Sequence, residues 1–374
     1  MVVPPDVAAA IIAADRPVCV YVYDRATLRA NVDALRAALP PGTKVAYAMK
    51  ANGDDRVIDA LRGHVDGFEV ASGGELAAVA GEPFVLFSGP AKTDADLRAA
   101  VAAGAVVNVE SLHELRRLLV YGQPKVCLRV NRTHPALPGT HAMAGVPTAF
   151  GLDESALPAA FGIAGDVVGF HLHAVSNNLD AAAHAAFIRD AVAWALDAAA
   201  RWDVPAPIIN VGGGFGVDIA GDGRFDLDVF AAGLRDLDLA GATLVVEPGR
   251  FVAATAGWYA TEVIDVKRTH GRWFVVVRGG THHFRLPASW GYSHPFTVLP
   301  VDAWPYPFDR PGVTGATVDV AGEQCNPRDV LARDAAVASV RAGDVLVFAN
   351  TGAYGWEVAH HDFLRHTHPQ FMIV

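Results

Sequence analysis

The sequence predicts an α/β protein: a TIM-type (β/α)8 barrel, then an antiparallel β domain that the N-terminal strand joins. Three observations predict this. Through the first two-thirds of the chain, short apolar β-branched runs alternate with stretches of helical periodicity rich in Ala, Leu and Arg. From about residue 256 the helical periodicity gives way to strand-like segments broken by Gly turns. One early run, VCVYVYD at 18–24, precedes the first helix and has no slot among the others.

The repeating runs are VAYAMK (45–50), GFEVA (67–71), FVLFS (84–88), AVVNVE (105–110), KVCLRV (125–130), VVGFHLH (167–173), PIINVG (207–212) and TLVVE (243–247). Strands alternating with helices imply a parallel sheet with right-handed crossovers. Eight strands also close a barrel, although strand counting leaves a doubly wound open sheet as the competing arrangement. The later segments GWYATEVIDVKRT, GRWFVVVRGG, ATVDVAG and DVLVFANTGAYG read as strands with Gly turns. The expected division is therefore a barrel over 25–255 and a β domain over 1–24 plus 256–374.

Bulk properties narrow the class. The 374 residues are 52% hydrophobic and only 19% charged, which implies a large core rather than extended disorder. A net charge of -10 disfavours nucleic acid and anionic membranes as partners. Three cysteines are too few, and odd in number, for a disulfide framework, so a reducing compartment and a cytoplasmic location are expected. The opening MVVPPDVAAAIIAADRP lacks a basic start and is broken by Pro and Asp, a poor signal peptide. No run reaches the roughly 18 apolar residues of a membrane span.

A barrel places its functional groups at the C-terminal ends of its strands. The first run ends on Lys50, the second carries Glu69, and the sixth carries His171 and His173. The seventh runs into Gly212, Gly213 and Gly214, and the eighth into Glu247 and Arg250. A lysine closing an apolar strand is unusual, because burying an ammonium costs several kcal/mol unless it is paired or neutralised. Burial favours the uncharged amine, which can condense with an aldehyde. The bland alternative is a strand-end lysine reaching solvent.

The glycine run leaves backbone N–H groups open to an anion, and Arg250 adds a bidentate donor. The alternatives are a tight turn and a surface arginine. Neither a P-loop nor a GxGxxG fingerprint is present. Glu247 needs a cationic or N–H partner, and Arg129 on the barrel rim is one structural candidate.

In order along the chain, AYAMKAN (46–52), GFEVASGGEL (67–76), GFHLHAVSN (169–177), NVGGGFG (210–216), EPGRF (247–251), GEQCNPRD (322–329) and NTGAYG (350–355) resemble the fold-type III pyridoxal-phosphate-dependent decarboxylases. These are the relatives of diaminopimelate and ornithine decarboxylase, built from a TIM barrel and a β domain. The resemblance spans about residues 18 to 360. It implies decarboxylation at the α-carbon of a small-molecule amino acid. Lys50 then carries pyridoxal 5'-phosphate, His173 stacks on its ring, and Glu247 pairs with the ring nitrogen. Ser176, Gly213, Gly214, Arg250 and Tyr354 hold the phosphate, and Glu69 lies beside the cofactor. Cys325 returns a proton to the α-carbon and Asp329 meets the substrate's distal group. In this family those last two enter from a second subunit, which implies a homodimer with shared active sites.

The chain departs from the family's pattern in three places. His-x-Gly-Ser becomes His173-Ala174-Val175-Ser176, which denies the loop a glycine conformation. Glu69 stands in place of Asp. Asn326 follows the cysteine where diamine-type members carry an acidic residue, which argues against a diaminopimelate, ornithine or lysine substrate. The segments GGTHHFRLPASWGYSHPF (279–296) and WEVAHHDFLRHTHP (356–369) resemble the siderophore-biosynthesis branch of the staphyloferrin B type. That branch acts on citryl-diaminopropionate, and its carboxylates suit Arg285, His282 and His283.

The histidines at 282, 283, 360, 361, 366 and 368 show no HExxH motif and no i, i+4 spacing, so no metal centre is expected. Diaminopimelate or diamine-forming decarboxylation is the alternative within the family. A racemase of the same plan would use a tyrosine base and lack the Cys325/Asp329 pair. A non-catalytic pyridoxal-phosphate-binding protein that handles cofactor supply would resemble the barrel alone.

Overall fold

The computed structural model describes residues 2–135, 137–163, 166–221 and 223–374. The chain forms two compact units. One comprises Met1–Leu28, Ile219–Asp222 and Ala253–Val374, and the other Arg29–Asp218 and Gly223–Val252.

The second unit is a closed barrel. Its strands are Lys44–Ala48, Gly67–Val70, Val85–Phe87, Val106–Val109, Val126–Asn131, Val167–His171, Ile208–Asn210 and Thr243–Val246. Each pairs in parallel with the next, as in Ala46↔Gly67, Phe68↔Val85 and Ile208↔Thr243. The last returns to the first through Val245↔Lys44 and Val246↔Val45. That final pairing makes the barrel and removes the open-sheet alternative. Helices cover the outside of the ring while side chains fill it, so the strands are apolar on both faces and read as continuous runs. Ala46, Leu86, Val106, Cys127 and Val245 form one interior cluster.

Polar caps set the helix starts. Thr93 and Asp96 form a reciprocal capping box before Asp94–Ala103, and Ser111 accepts from the Glu114 N–H before Leu112–Leu119.

The barrel also buries charge. Lys92 Nζ donates to the Gly89 and Asn108 carbonyls and to Glu114 Oε1 at 2.7, 2.9 and 2.9 Å, with both side chains almost fully enclosed. Arg129 donates to Glu110 at 2.8 Å, equally enclosed. Replacing one partner of such a pair strands the other charge. Lys92→Met is therefore expected to cost about 3–5 kcal/mol in chemical unfolding. Adding Glu114→Leu should restore much of that loss. A loss below about 1 kcal/mol for the single variant would show that the pair is effectively solvated.

The first unit is an eight-stranded sheet. The N-terminal strand Cys19–Tyr23 joins it, antiparallel to Gly257–Thr269 in the register Cys19↔Thr261 to Tyr23↔Gly257. The remaining strands are Arg272–Val277, Phe296–Leu299, Gly312–Ala321, Val330–Arg341, Val345–Ala349 and Gln370–Ile373. The sheet is mostly antiparallel, with two parallel pairings that the sequence pattern did not announce. Cys19–Tyr23 runs parallel to Gln370–Ile373, and Arg272–Val277 to Gly312–Ala321. A parallel neighbour needs a long crossover, and residues 278–311 supply one.

The opening segment is a helix, Pro5–Ala13. It buries Val7 and Ile11 against Val18, Val20, Val22, Trp258 and Val347. Among the described residues, no helix is long and apolar enough to cross a membrane.

Candidate active site

The rim of the barrel gathers the residues that the sequence singles out there. Lys50 lies not on the first strand but in the single 3-10 turn Met49–Ala51 that follows it. The turn swings its side chain out of the barrel wall, so it is 45% exposed rather than buried. Its Nζ lies 3.1 Å from Glu69 Oε2. Glu69 itself is 1% exposed, and its other oxygen has no hydrogen-bond partner among the described residues.

Across the ring, Glu247 is buried at the end of the eighth strand. Its partner is not Arg129, which is held by Glu110. Asn210 Nδ2 donates to Glu247 Oε1 at 2.7 Å, and His171 Nε2 lies 3.5 Å from Oε2. Burial alone would push this carboxyl up, but His171, the Lys50 charge and the Asn210 amide outweigh it and hold it well below the usual carboxylate range. Glu247 is therefore an anion. In the sequence the signal for Asn210 is an amide closing the apolar strand Ile208–Asn210, just before the glycine run.

His173 stands two residues beyond the sixth strand, its ring nearly parallel to that of His171 at 6.3 Å between centroids. Burial, and then the charges of Lys50 and Arg129, hold its pKa well below that of free histidine. The imidazole is neutral, and its Nδ1 is buried without a hydrogen-bond partner among the described residues.

The glycine run is sterically required. Gly212 has φ +71°, and a β-carbon there would meet His173 Nδ1 at 2.4 Å. At Gly214, φ +94°, it would lie 2.7 Å from the Val175 carbonyl oxygen. Asn210 Oδ1 accepts the Gly212 N–H at 2.9 Å and so ties this turn to Glu247. The loop after His173 solves its missing glycine by becoming extended: Val175–Ser176 pairs antiparallel with His141–Ala142. Arg250, only 7% exposed, opens the short helix Arg250–Ala253.

The other singled-out residues belong to the β unit. Cys325 and Asn326 are exposed on a loop, and Tyr354 is half-buried with φ +58°. Arg285 is exposed, and its Nη1 donates to His360 Nδ1 at 2.8 Å. A cavity of about 550 Å³ is lined by Thr281, Arg285, Asn326, Arg328, Arg333 and His360 among others, with no acidic side chain.

Three of the expected substrate-binding residues are buried in this structure. Asp329 is 2% exposed and accepts the backbone N–H groups of Thr281 and Gln324 at 2.6 and 2.9 Å, so it ties two loops together. His282 and His283 are both 0% exposed, which removes them from the cavity surface. The spacing of polar residues in sequence carried no sign of either.

A glycine turn, an accessible lysine and a buried anion stand together at the barrel rim, a set that suits a phosphorylated aldehyde cofactor. Residues 25–254 match the family model described as the pyridoxal-dependent decarboxylase, pyridoxal binding domain. The chain is 39% identical to 2-[(L-alanin-3-ylcarbamoyl)methyl]-2-hydroxybutanedioate decarboxylase of Staphylococcus aureus, over 96% of this chain and 95% of that protein. It is 31% identical to a diaminopimelate decarboxylase of Deinococcus radiodurans, over 90% and 84% respectively. A lysine/ornithine decarboxylase of Vibrio vulnificus, solved with putrescine, shares the fold at TM-score 0.82 and 22% identity, covering 100% of this chain and 99% of that one.

The chain belongs to the pyridoxal-dependent decarboxylase family. It is a pyridoxal-phosphate-dependent decarboxylase acting on an amino-acid substrate. The residues present suit that cofactor. The glycine turn has no room for β-carbons, which leaves its backbone bare of side chains, and Glu69 and His173 each hold a buried polar atom without a hydrogen-bond partner among the described residues.

Proposed function

We propose that the chain removes the α-carboxylate of an amino acid whose far end carries carboxylates, of the citryl-diaminopropionate type. The observation that carries this reading is the cavity in the β unit, whose lining includes Arg285, Arg328, Arg333 and His360 and no acidic side chain. Carboxylates find fork-shaped donors there, while a bare ammonium, as in lysine or ornithine, finds only repulsion. The Staphylococcus aureus relative is named for such a substrate, an alanine unit joined through an amide to a hydroxy-dicarboxylate.

In this reading Lys50 attaches the cofactor through its ε-amine, and Glu69 orients that amine. The Gly213 and Gly214 N–H groups, Ser176 and Arg250 receive the phosphate. Glu247 accepts a proton-bearing ring nitrogen, and its fixed negative charge keeps that proton in place. His173, neutral and stacked on His171, offers a flat apolar face to the ring. Bound pyridoxal phosphate supplies the electron sink for the pair that the departing carbon dioxide leaves behind. Cys325, exposed on its loop, hands a proton to the α-carbon, and Arg285 and Asn326 bind the distal group. We assign the enzyme a homodimeric state in which Cys325 serves the partner's barrel. We place it in the cytoplasm, where its three free cysteines suit a reducing environment.

The test is Arg285→Ala assayed for carbon dioxide release. With a citryl-diaminopropionate substrate, kcat/KM should fall roughly 10- to 100-fold, as for a lost charged hydrogen bond. Visible absorption of the bound cofactor should be unchanged. Equal kcat/KM in variant and parent, or a parent that prefers diaminopimelate or lysine, would overturn the assignment.

A further inference from the structure

The β unit gathers imidazoles that the decarboxylation does not use. His282 and His283 are neighbours in sequence, their ring centroids are 3.8 Å apart, and neither is exposed. The Nε2 atom of each is buried without a hydrogen-bond partner among the described residues. One ligand atom from each ring and a carboxylate oxygen of Glu323 lie within 4.8 Å of one another. His366, from the C-terminal segment, brings Nδ1 to 3.4 Å from Glu323 Oε1, and His282 Nε2 lies 3.3 Å from the same oxygen.

We propose that His282, His283, Glu323 and His366 form a site for one divalent transition-metal ion, with Zn2+ the preferred occupant. The donor set is three imidazole nitrogens and one carboxylate oxygen, which suits zinc and its neighbours rather than magnesium or calcium. Zinc–ligand distances of about 2.1 Å give tetrahedron edges of about 3.4 Å. The two ligand–ligand distances to Glu323 already have that length.

The outer edges of the rings are engaged, as zinc-binding imidazoles usually are. His282 Nδ1 lies 3.0 Å from Gln324 Nε2, and His283 Nδ1 lies 3.4 Å from Cys19 Sγ. Ligation through Nε2 leaves the ring proton on Nδ1. The Gln324 amide then turns its oxygen toward it at His282, and the Cys19 sulfur accepts it at His283.

Arg278 donates to Glu323 and, at 2.9 Å, to the Thr367 carbonyl. It competes with the ion for charge while orienting the carboxylate. Access runs from the Glu323 and His366 side, where the side chains are 18% and 28% exposed. Occupied, the site ties together three stretches of chain distant in sequence, around 282–283, 323 and 366.

The experiment uses the full-length, cofactor-bound protein, stripped with a chelator and titrated with Zn2+ and, separately, Co2+. One equivalent of Zn2+ per chain should survive gel filtration and raise the melting temperature. Co2+ should give the intense visible d–d absorption of a tetrahedral ion. Glu323→Gln and His366→Ala should each weaken binding at least about tenfold. His366 is partly exposed, so its variant keeps the core intact, and cofactor absorption reports folding. His368→Ala, outside the cluster, should bind as the parent does. Failure to retain stoichiometric metal would overturn the proposal. So would unchanged affinity in both ligand variants, or an equal loss in His368→Ala, since the histidine-rich tail would then be collecting metal without a built site.

Discussion

Lys50→Ala is expected to lose both the visible absorption of the bound cofactor and carbon dioxide release. In the proposed site Lys50 supplies the covalent tether to the cofactor. The rate should therefore fall by about 10⁴-fold, the scale of losing a single group that acts directly on the reacting atoms. The fold should persist, with some loss of stability because the buried Glu69 carboxylate loses the Lys50 charge. Lys50 sits in the 3-10 turn beyond the strand, its side chain 45% exposed and ion-paired with Glu69. Far-ultraviolet circular dichroism should match the parent. A variant that keeps the absorption band and more than about a hundredth of the rate would place the tether on another residue. Lys92 is no substitute, because its ammonium is enclosed by Glu114 and two carbonyls.

Glu247→Gln should separate binding from chemistry. The amide is nearly isosteric, and it keeps a partner in Asn210 after a flip. The glycine cradle and Lys50 are untouched, so the cofactor should still bind and absorb. What disappears is the buried negative charge that a protonated ring nitrogen requires. Loss of a single preorganised electrostatic contact of this kind typically costs about 10²–10³ in kcat. The expected result is a coloured enzyme with kcat reduced by that factor and KM little changed. A kcat within about fivefold of the parent would show that Glu247 serves the structure of the rim and not the reaction.

Much of the candidate site was legible because it lies at or near strand ends. Lys50, His173, Gly212–Gly214, Glu247 and Arg250 follow apolar runs and Glu69 lies in one, and a parallel barrel brings the C-terminal ends of its strands to one rim. The partners of those residues were less legible. The Asn210–Glu247 bond and the Arg129–Glu110 pair join different strands, and nothing in the local pattern says which rim charge meets which. Asp329 illustrates the same limit. Its place in GEQCNPRD implies, by resemblance, a contact with the substrate's distal group, and nothing there announces the two backbone N–H groups that the fold aims at it.

The sequence by itself determined the secondary structure, the change of texture near residue 256 and the family, since burial on both faces of a strand and the ordered motifs are written locally. Only the tertiary structure decided closure of the barrel, because an open sheet has the same apolar strands and differs only in whether Val245 meets Lys44. It also decided the parallel pairings in the β sheet and the convergence of His282, His283, Glu323 and His366. Those outcomes depend on which distant segments share hydrogen bonds and burial. Such long-range pairings are set when the whole chain packs, and no local periodicity encodes them.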